Sequence, residues 1–322
     1  MPAPSAAAPA DLAETWSLAC HACGRCCNSP PALSLRELFR HGDRFIGCIA
    51  VTKVAGLRAG ERLASDGRVR VLDAADVAAF DTLAAALYSR VSAGRDWLSV
   101  SLQGFGYASL ERCPALADDG RCAIHEAGKP AICDAVPLDP FAPDRWQAWV
   151  VGARRDTSVW AEAGCLQRGP ASNAFTLIDS GRVATPALDA CRDALQRERT
   201  VWRDAVAGSL MASGPAWARS WAQLTPGARL TLPIVPALLE VARHSPRCRD
   251  ACVDLVDRQG VLIGTTIDAA LARRHAADRA TTQELRRFAD VLTRARGALT
   301  GLAFDARGRE SQAEVEAWLG LD

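Results

Sequence analysis

With 322 residues, 49% of them apolar, the chain can fill a sizeable core as one large domain or two ordinary ones, which excludes global disorder. The 38 Lys and Arg almost cancel the 37 Asp and Glu, and a formal net charge of +1 gives no electrostatic case for nucleic acid or an acidic membrane surface. No stretch approaches the roughly 18 uninterrupted apolar residues of a membrane span, so no membrane association is expected, and the start, which lacks a basic segment followed by an apolar core, reads as that of a cytoplasmic protein with reduced thiols.

Residues 1–10 are Ala, Pro and Ser after one Met and read as a flexible tail. A short helix is expected over residues 12–18, leading into a cysteine-rich segment, and Pro30 and Pro31 stop any helix beyond it. Ser34 with Glu37 is a capping box that starts a brief helix over residues 35–40, closed by Gly42. Asp73 caps a longer helix in which Val77, Phe80, Leu83, Ala84, Leu87 and Val91 recur at helical spacing, ending near Gly94. Residues 97–102 and 146–151 read as strands, and residues 175–183 as a hairpin around Asp179, Ser180 and Gly181. Residues 111–143 are rich in Cys, Pro, Gly and Asp, which predicts irregular backbone held by something other than a strand ladder, with a metal as the obvious candidate.

After Pro186 the periodicity is helical over residues 187–210 and again around Trp217 and Leu238, and Thr281 with Glu284 and Ser311 with Glu314 form further capping boxes. The expected fold is α+β and mostly helical. A cysteine-cluster metal-binding domain over residues 11–185 carries a small sheet and metal-stapled loops, and a helical domain over residues 186–322 packs on it across a soft boundary that one core can span.

Twelve cysteines are too sparse for a disulfide scaffold, yet eight lie between Cys20 and Cys133 and four of those fall within eight residues. Two cysteines three apart can turn both sulfurs toward one ion, and Cys20, Cys23 and Cys26 use that spacing twice. Adjacent side chains usually diverge, so Cys26 beside Cys27 points to two metals or a cluster. Downstream stand Cys113, Cys122 and Cys133, with His125 three residues after Cys122, and then Cys165. Eight such thiolates can hold two four-coordinate zinc ions, one [4Fe-4S] cluster with four thiols spare, or several irons supplemented by His125 and a carboxylate. Spacing does not choose among them.

In motif order the sequence resembles the CxxCxxCC, or YkgJ-like, cysteine-cluster proteins, described as zinc- or iron-chelating and often labelled iron-sulfur oxidoreductases. Cys20, Cys23, Gly24, Cys26 and Cys27 match the opening motif. Cys113, Pro114, Leu116, Gly120, Cys122, Ile124, Pro130, Cys133 and Pro137 follow the second block, and Cys165 the later lone cysteine. Lys129, His125 and Asp134 depart from the residues usual in that family. The resemblance covers roughly residues 15–170 and implies a metal held by Cys20, Cys23, Cys26, Cys27, Cys113, Cys122, Cys133 and Cys165. It inclines the expectation toward iron or an iron-sulfur cluster, with zinc as the alternative.

Three functions follow as expectations. The first is an iron, and specifically iron-sulfur, oxidoreductase or substrate-modifying enzyme, with His125 as a ligand, a partner of a ligand or a proton carrier. The second is a zinc-stapled module whose helical half binds a protein or peptide. The third, by likeness to the flagellin lysine N-methylase, is a methyl transferase using S-adenosylmethionine, although the cysteine spacing at the start differs and no methyl-donor site is legible. No catalytic residue can be named. Cys48, Cys191, Cys248 and Cys252 read as core thiols, His21 as exposed, and His41, His244 and His275 as surface residues near helix ends. The run from Gln103 to Tyr107 has two glycines but reads as a plain turn, and Trp202, Trp217, Trp221 and Trp318 fit the floor of a ligand pocket and buried packing equally well.

Overall fold

The computed structural model describes residues 14–91, 94–304 and 309–321. The expected tail over residues 1–10 lies outside the described residues. In chain order the first part contains β1 (Trp16–Leu18), β2 (Ala32–Leu33), α1 (Leu35–Arg40), β3 (Ile46–Val54), β4 (Arg62–Ser65), β5 (Arg68–Val71), α2 (Ala74–Leu87), β6 (Ser89–Arg90) and β7 (Trp97–Phe105). Short helices α3 (Ala131–Ala135), α4 (Gln147–Arg155) and α5 (Ser158–Ala163) follow, then β8 (Leu166–Arg168), β9 (Phe175–Asp179) and β10 (Arg182–Val183). The remainder is α6 (Ala187–Glu198), α7 (Asp204–Ala212), α8 (Pro215–Gln223), β11 (Arg229–Pro233), α9 (Val235–Ala242), α10 (Pro246–Arg273), α11 (Asp278–Thr300) and α12 (Arg309–Leu319). The fold is α+β, with small sheets in the N-terminal half and a helical C-terminal half.

The main sheet is built on β3 and β7, paired antiparallel from Ile46 opposite Phe105 to Val54 opposite Trp97. The first six residues of β3 are all buried, as a strand covered on both faces requires, and a run of apolar residues without alternation supplies them. β2 pairs with β7 on one side, and β11 pairs with β3 on the other, Pro233 standing opposite Cys48. The main core packs Leu98, Val100 and Leu102 of β7 with Leu238 of α9, Ile263 of α10 and Leu285 of α11, so one core runs across residue 185. A fully buried amide fastens the two parts. Gln259 of α10 donates to the carbonyls of Gly42 and Phe45 at 2.7 and 2.8 Å and accepts the Gly47 N–H at 2.8 Å. Its carbonyl and both amide hydrogens are thereby satisfied, as full burial demands.

A second sheet has the order β10-β9-β1-β8 and its own small core, in which Trp16, Leu166, Leu177 and Ile178 meet. The β9–β10 hairpin turns through Ser180 and Gly181, both at positive φ. A separate hairpin joins β4 to β5 through Asp66 and Gly67, again at positive φ, the pattern that suits a tight two-residue turn.

Several local expectations hold. Ser34 and Glu37 form the reciprocal capping box of α1, and Asp73 with Asp76 that of α2. Others are corrected. Trp16–Leu18 is strand β1, not helix, because β8 and β9 flank it on both edges. Residues 147–155 form α4, and its buried positions Gln147, Ala148, Val151 and Gly152 follow helical rather than strand spacing. α2 stops at Leu87, short of Val91, because the chain turns into β6 beside β7. Thr281 and Ser311 are helix interior. α11 begins a turn earlier, at Asp278, where Arg273 reaches the aspartate at 2.9 Å and packing of Thr282 and Leu285 extends the helix upstream. β3, β11 and the β4–β5 hairpin are additions to the expected elements.

The histidines also differ from expectation. His41 and His244 are buried, at 5% and 3% exposure, because the turns after α1 and α9 fold inward, whereas His21 and His275 are exposed. Cys48, Cys191, Cys248 and Cys252 are core thiols as expected. Of the Gln103 to Tyr107 run, Gln103 to Phe105 end β7, and Gly106 and Tyr107 follow the strand. A Cβ on Gly104 would stand 2.7 Å from Pro30 Cβ, so the glycine lets the strand lie against that proline.

Candidate cysteine-cluster site

The opening motif leaves the end of β1. Extending the β1–β8 register by one pair sets Ala19 opposite Cys165, and the Ala19 N–H donates to the Cys165 carbonyl at 2.9 Å. The chain then turns through Ala22 and Gly24, both at positive φ, and the Cys27 N–H donates to the Gly24 carbonyl at 2.9 Å. Gly24 is required twice over. Its φ is +72°, and a Cβ there would lie 2.7 Å from the Gly120 carbonyl oxygen. Cys20, Cys23 and Cys26 are exposed and Cys27 is half-buried. Arg25 forms an ion pair with Glu162 of α5, tying the turn to the segment before Cys165.

The second block is held against the first by backbone. The Cys113 N–H donates to the Cys27 carbonyl at 2.8 Å, a link between residues 86 apart. Leu116 and Cys122 form an isolated antiparallel bridge, and the Ala123 N–H donates to the Ala115 carbonyl at 2.8 Å, so residues 113–123 make a tight loop closed at Gly120. This is the irregular backbone expected from composition, held by its own hydrogen bonds as well as by its contact with the opening turn.

Cys133 sits on α3, whose position depends on a residue outside the cysteine pattern. Glu37 accepts the Ser34 N–H at 2.6 Å and the Ala131 N–H at 2.7 Å, so one carboxylate both caps α1 and holds the start of α3. His41 Nε2 lies 2.8 Å from the Gly128 carbonyl and anchors the loop before α3. Neither role is legible from spacing. The capping box was the only sequence signal for Glu37, and it accounts for half of what that side chain does. Lys129 pairs with Asp134 at 2.9 Å. His125 is exposed on the loop after Cys122, and its N–H donates to the Cys122 carbonyl at 3.2 Å.

All twelve cysteines are free thiols. The adjacent thiols influence one another most, the Cys27 neighbour and burial holding the Cys26 proton on, and the Cys26 neighbour drawing Cys27 below the ordinary thiol range. Burial, then nearby Cys113, pushes Cys133 up to about 12. Burial also raises Cys113, with Cys122 adding to it, and raises Cys165, where Cys23, Cys20 and Cys26 add to it. Burial disfavours the Lys129 cation, but Asp134 and the neighbouring Cys133 and Cys122 outweigh it and hold the ammonium protonated.

Among the described residues, no three His, Cys, Asp or Glu side chains are arranged to hold a metal ion as they stand. The structure brings the eight cysteines of the motifs into one region through three segments, with sulfur positions that coordination would still have to draw together. Family models, curated proteins and solved structures yield no match to this chain. The donor set itself speaks for a soft metal, since thiols dominate it and no carboxylate cage of the kind that suits calcium or magnesium accompanies them.

Proposed function

We propose that the chain is a metal-binding cysteine-cluster protein in which Cys20, Cys23, Cys26, Cys27, Cys113, Cys122, Cys133 and Cys165 hold iron, as an iron-sulfur cluster, in a redox or substrate-modifying enzyme. The observation that carries this reading is the pair of backbone links from the opening turn, Ala19 to Cys165 and Cys113 to Cys27, which gather thiols from segments far apart in sequence. The order of motifs, which resembles the YkgJ-like proteins, inclines the metal toward iron. Bound iron supplies one-electron chemistry. The chain's own residues hold it, shield its inner side with the main core, and place the Lys129 ammonium beside thiolate charge. Full thiolate coordination leaves electron transfer alone, so substrate chemistry requires one position taken by His125, water or a substrate, which can be a protein or peptide.

A second reading is a zinc-stapled module that binds a protein or peptide. The scarcity of secondary structure around Cys113 and Cys122 favours it, because a structural metal is a common means of fixing such loops. Metal and acid-labile sulfide analysis of anaerobically purified protein, with an absorption spectrum on the same sample, decides between them. Iron with sulfide is the expected result. Stoichiometric zinc would replace the first reading by the second, and absence of any bound metal after reconstitution would overturn both.

A further inference from the structure

A cavity of about 260 Å³ is lined by Gly56, Leu57, Val77, Asp81, Arg90 and Arg95, none of which belongs to the cysteine motifs. Four segments meet there. The chain after β3 brings Gly56 and Leu57, α2 brings Val77 and Asp81 one turn apart on the same face, β6 brings Arg90, and the residues just before β7 bring Arg95. Leu57 and Val77 pack against the core that holds Phe80, Ala84 and Trp97, which gives the cavity an apolar floor, whereas Asp81, Arg90 and Arg95 are exposed.

The two arginines are held in place without being used. Arg90 stands opposite Trp97 in the β6–β7 ladder, and its guanidinium lies over the buried indole, 4.2 Å from the ring centroid. Stacking of this kind fixes the plane of a guanidinium and leaves its N–H edge free for a carboxylate. Gly56 lets the chain after β3 lie against Arg95: a Cβ there would stand 2.5 Å from both the Cβ and the carbonyl oxygen of Arg95, and the Gly56 N–H donates to the Asp96 carboxylate at 3.2 Å. Many surface arginines of this chain are committed to a carboxylate, as Arg68 is to Asp156 and Arg296 to Asp257. Among the described residues Arg90, Arg95 and Asp81 form no ion pair, so three charges line one cavity without neutralising one another.

We propose that this cavity binds a small acidic α-amino acid, Arg90 and Arg95 taking its two carboxylates and Asp81 its ammonium group. Two guanidinium groups and one carboxylate are matched in charge by two carboxylates and one ammonium, and a guanidinium edge suits a carboxylate in geometry as well as in charge. The volume falls below the roughly 300–1,000 Å³ of sites that take drug-sized ligands, which excludes a nucleotide and leaves room for a short methylene chain against Leu57 and Val77. A bare phosphate fits the site less well, because Asp81 opposes it. This ligand site stands apart from the proposed metal-binding function and does not depend on it.

Isothermal titration calorimetry of the full chain tests the assignment, with L-glutamate and L-aspartate as probes. Glutarate lacks the ammonium group, L-norvaline lacks the second carboxylate, and inorganic phosphate is the bare anion. At least one of the two acidic amino acids is expected to bind, with glutarate, norvaline and phosphate each at least about tenfold weaker, the worth of one charge-assisted pair. Arg90→Gln and Arg95→Gln should each weaken binding by at least about tenfold, and Asp81→Asn should abolish the preference over glutarate. Equal affinity for glutarate or phosphate would reduce the cavity to an unselective anion site and overturn the assignment. So would unchanged affinity in both arginine variants, or no heat from either amino acid at about 10 mM. The selectivity of the unaltered chain decides the matter even where a variant fails to fold, and a negative result leaves the metal reading to its own test by metal and sulfide content.

Discussion

The Glu37 carboxylate accepts the Ala131 N–H at 2.7 Å, joining α1 to α3 across 94 residues. Because the other oxygen of the same carboxylate caps α1 at Ser34, replacement by Ala removes two charge-assisted bonds at once. Glu37→Ala is expected to lower stability by about 2 kcal/mol in a denaturant titration and to speed alkylation of Cys133 in the metal-free protein. An unchanged midpoint together with an unchanged alkylation rate would show that α3 is held by something else.

Gly24 governs the approach of the two cysteine loops. Gly24→Ala forces a Cβ to within 2.7 Å of the Gly120 carbonyl oxygen at a φ that side chains rarely adopt. The loops must separate, and a loss of about 1–3 kcal/mol is expected, with weaker cobalt binding in the same sample. Gly60, also at positive φ but with nothing near its Cβ, is the control: Gly60→Ala should leave cobalt binding unaltered.

Glu198 predicts a pH dependence. It is 1% exposed, accepts the Leu35 N–H and the Trp202 indole N–H at 2.8 Å each, and burial pushes it from 4.5 up to about 7. The nearby buried Arg203 guanidinium opposes that shift without cancelling it. The folded chain thus holds this proton more tightly than the unfolded chain. Its contribution is fully present below about pH 4.5 and is lost as pH rises through about 7, to the extent of roughly 3 kcal/mol. Thermal unfolding between pH 4.5 and 8 should show the decline, and Glu198→Gln, which does not ionise, should flatten it. A decline of equal size in the variant would assign the effect to another group.

Thiol reactivity should separate the motif cysteines from the core cysteines. Cys20 and Cys23 are exposed and should react promptly with an aromatic disulfide reagent in the native, metal-free protein, whereas Cys26, exposed but with its proton held on, should react slowly. Cys48, Cys191, Cys248 and Cys252 are buried, and burial pushes Cys48 and Cys191 up to about 12, so these four should react only on unfolding. Metal loading should then silence Cys20 and Cys23. Continued prompt reaction after loading would remove them from the ligand set.

The elements legible in the sequence are those whose causes lie within a few residues. The Ser34–Glu37 and Asp73 caps, the turn at Ser180–Gly181 and the alternation from Trp97 all appear where expected, because a cap or tight turn satisfies its own backbone. Where local pattern and partner disagree, the partner wins. Trp16–Leu18 is a strand because two strands flank it, and β11, inside an otherwise helical half, exists because β3 offers it an edge.

The cysteine cluster divides in the same way. Spacing by itself singled out Cys20, Cys23, Cys26 and Cys27, and thiols are the donors that the proposed soft metal would need. Only the tertiary structure decided that Cys113 is bonded to Cys27, that Cys165 lies opposite Ala19, and that Glu37 and His41 hold the start of the helix carrying Cys133 and the loop before it. Spacing constrains sulfurs within one turn of chain, whereas the meeting of segments 86 residues apart depends on the cores beneath them and on backbone bonds made only once those cores have formed.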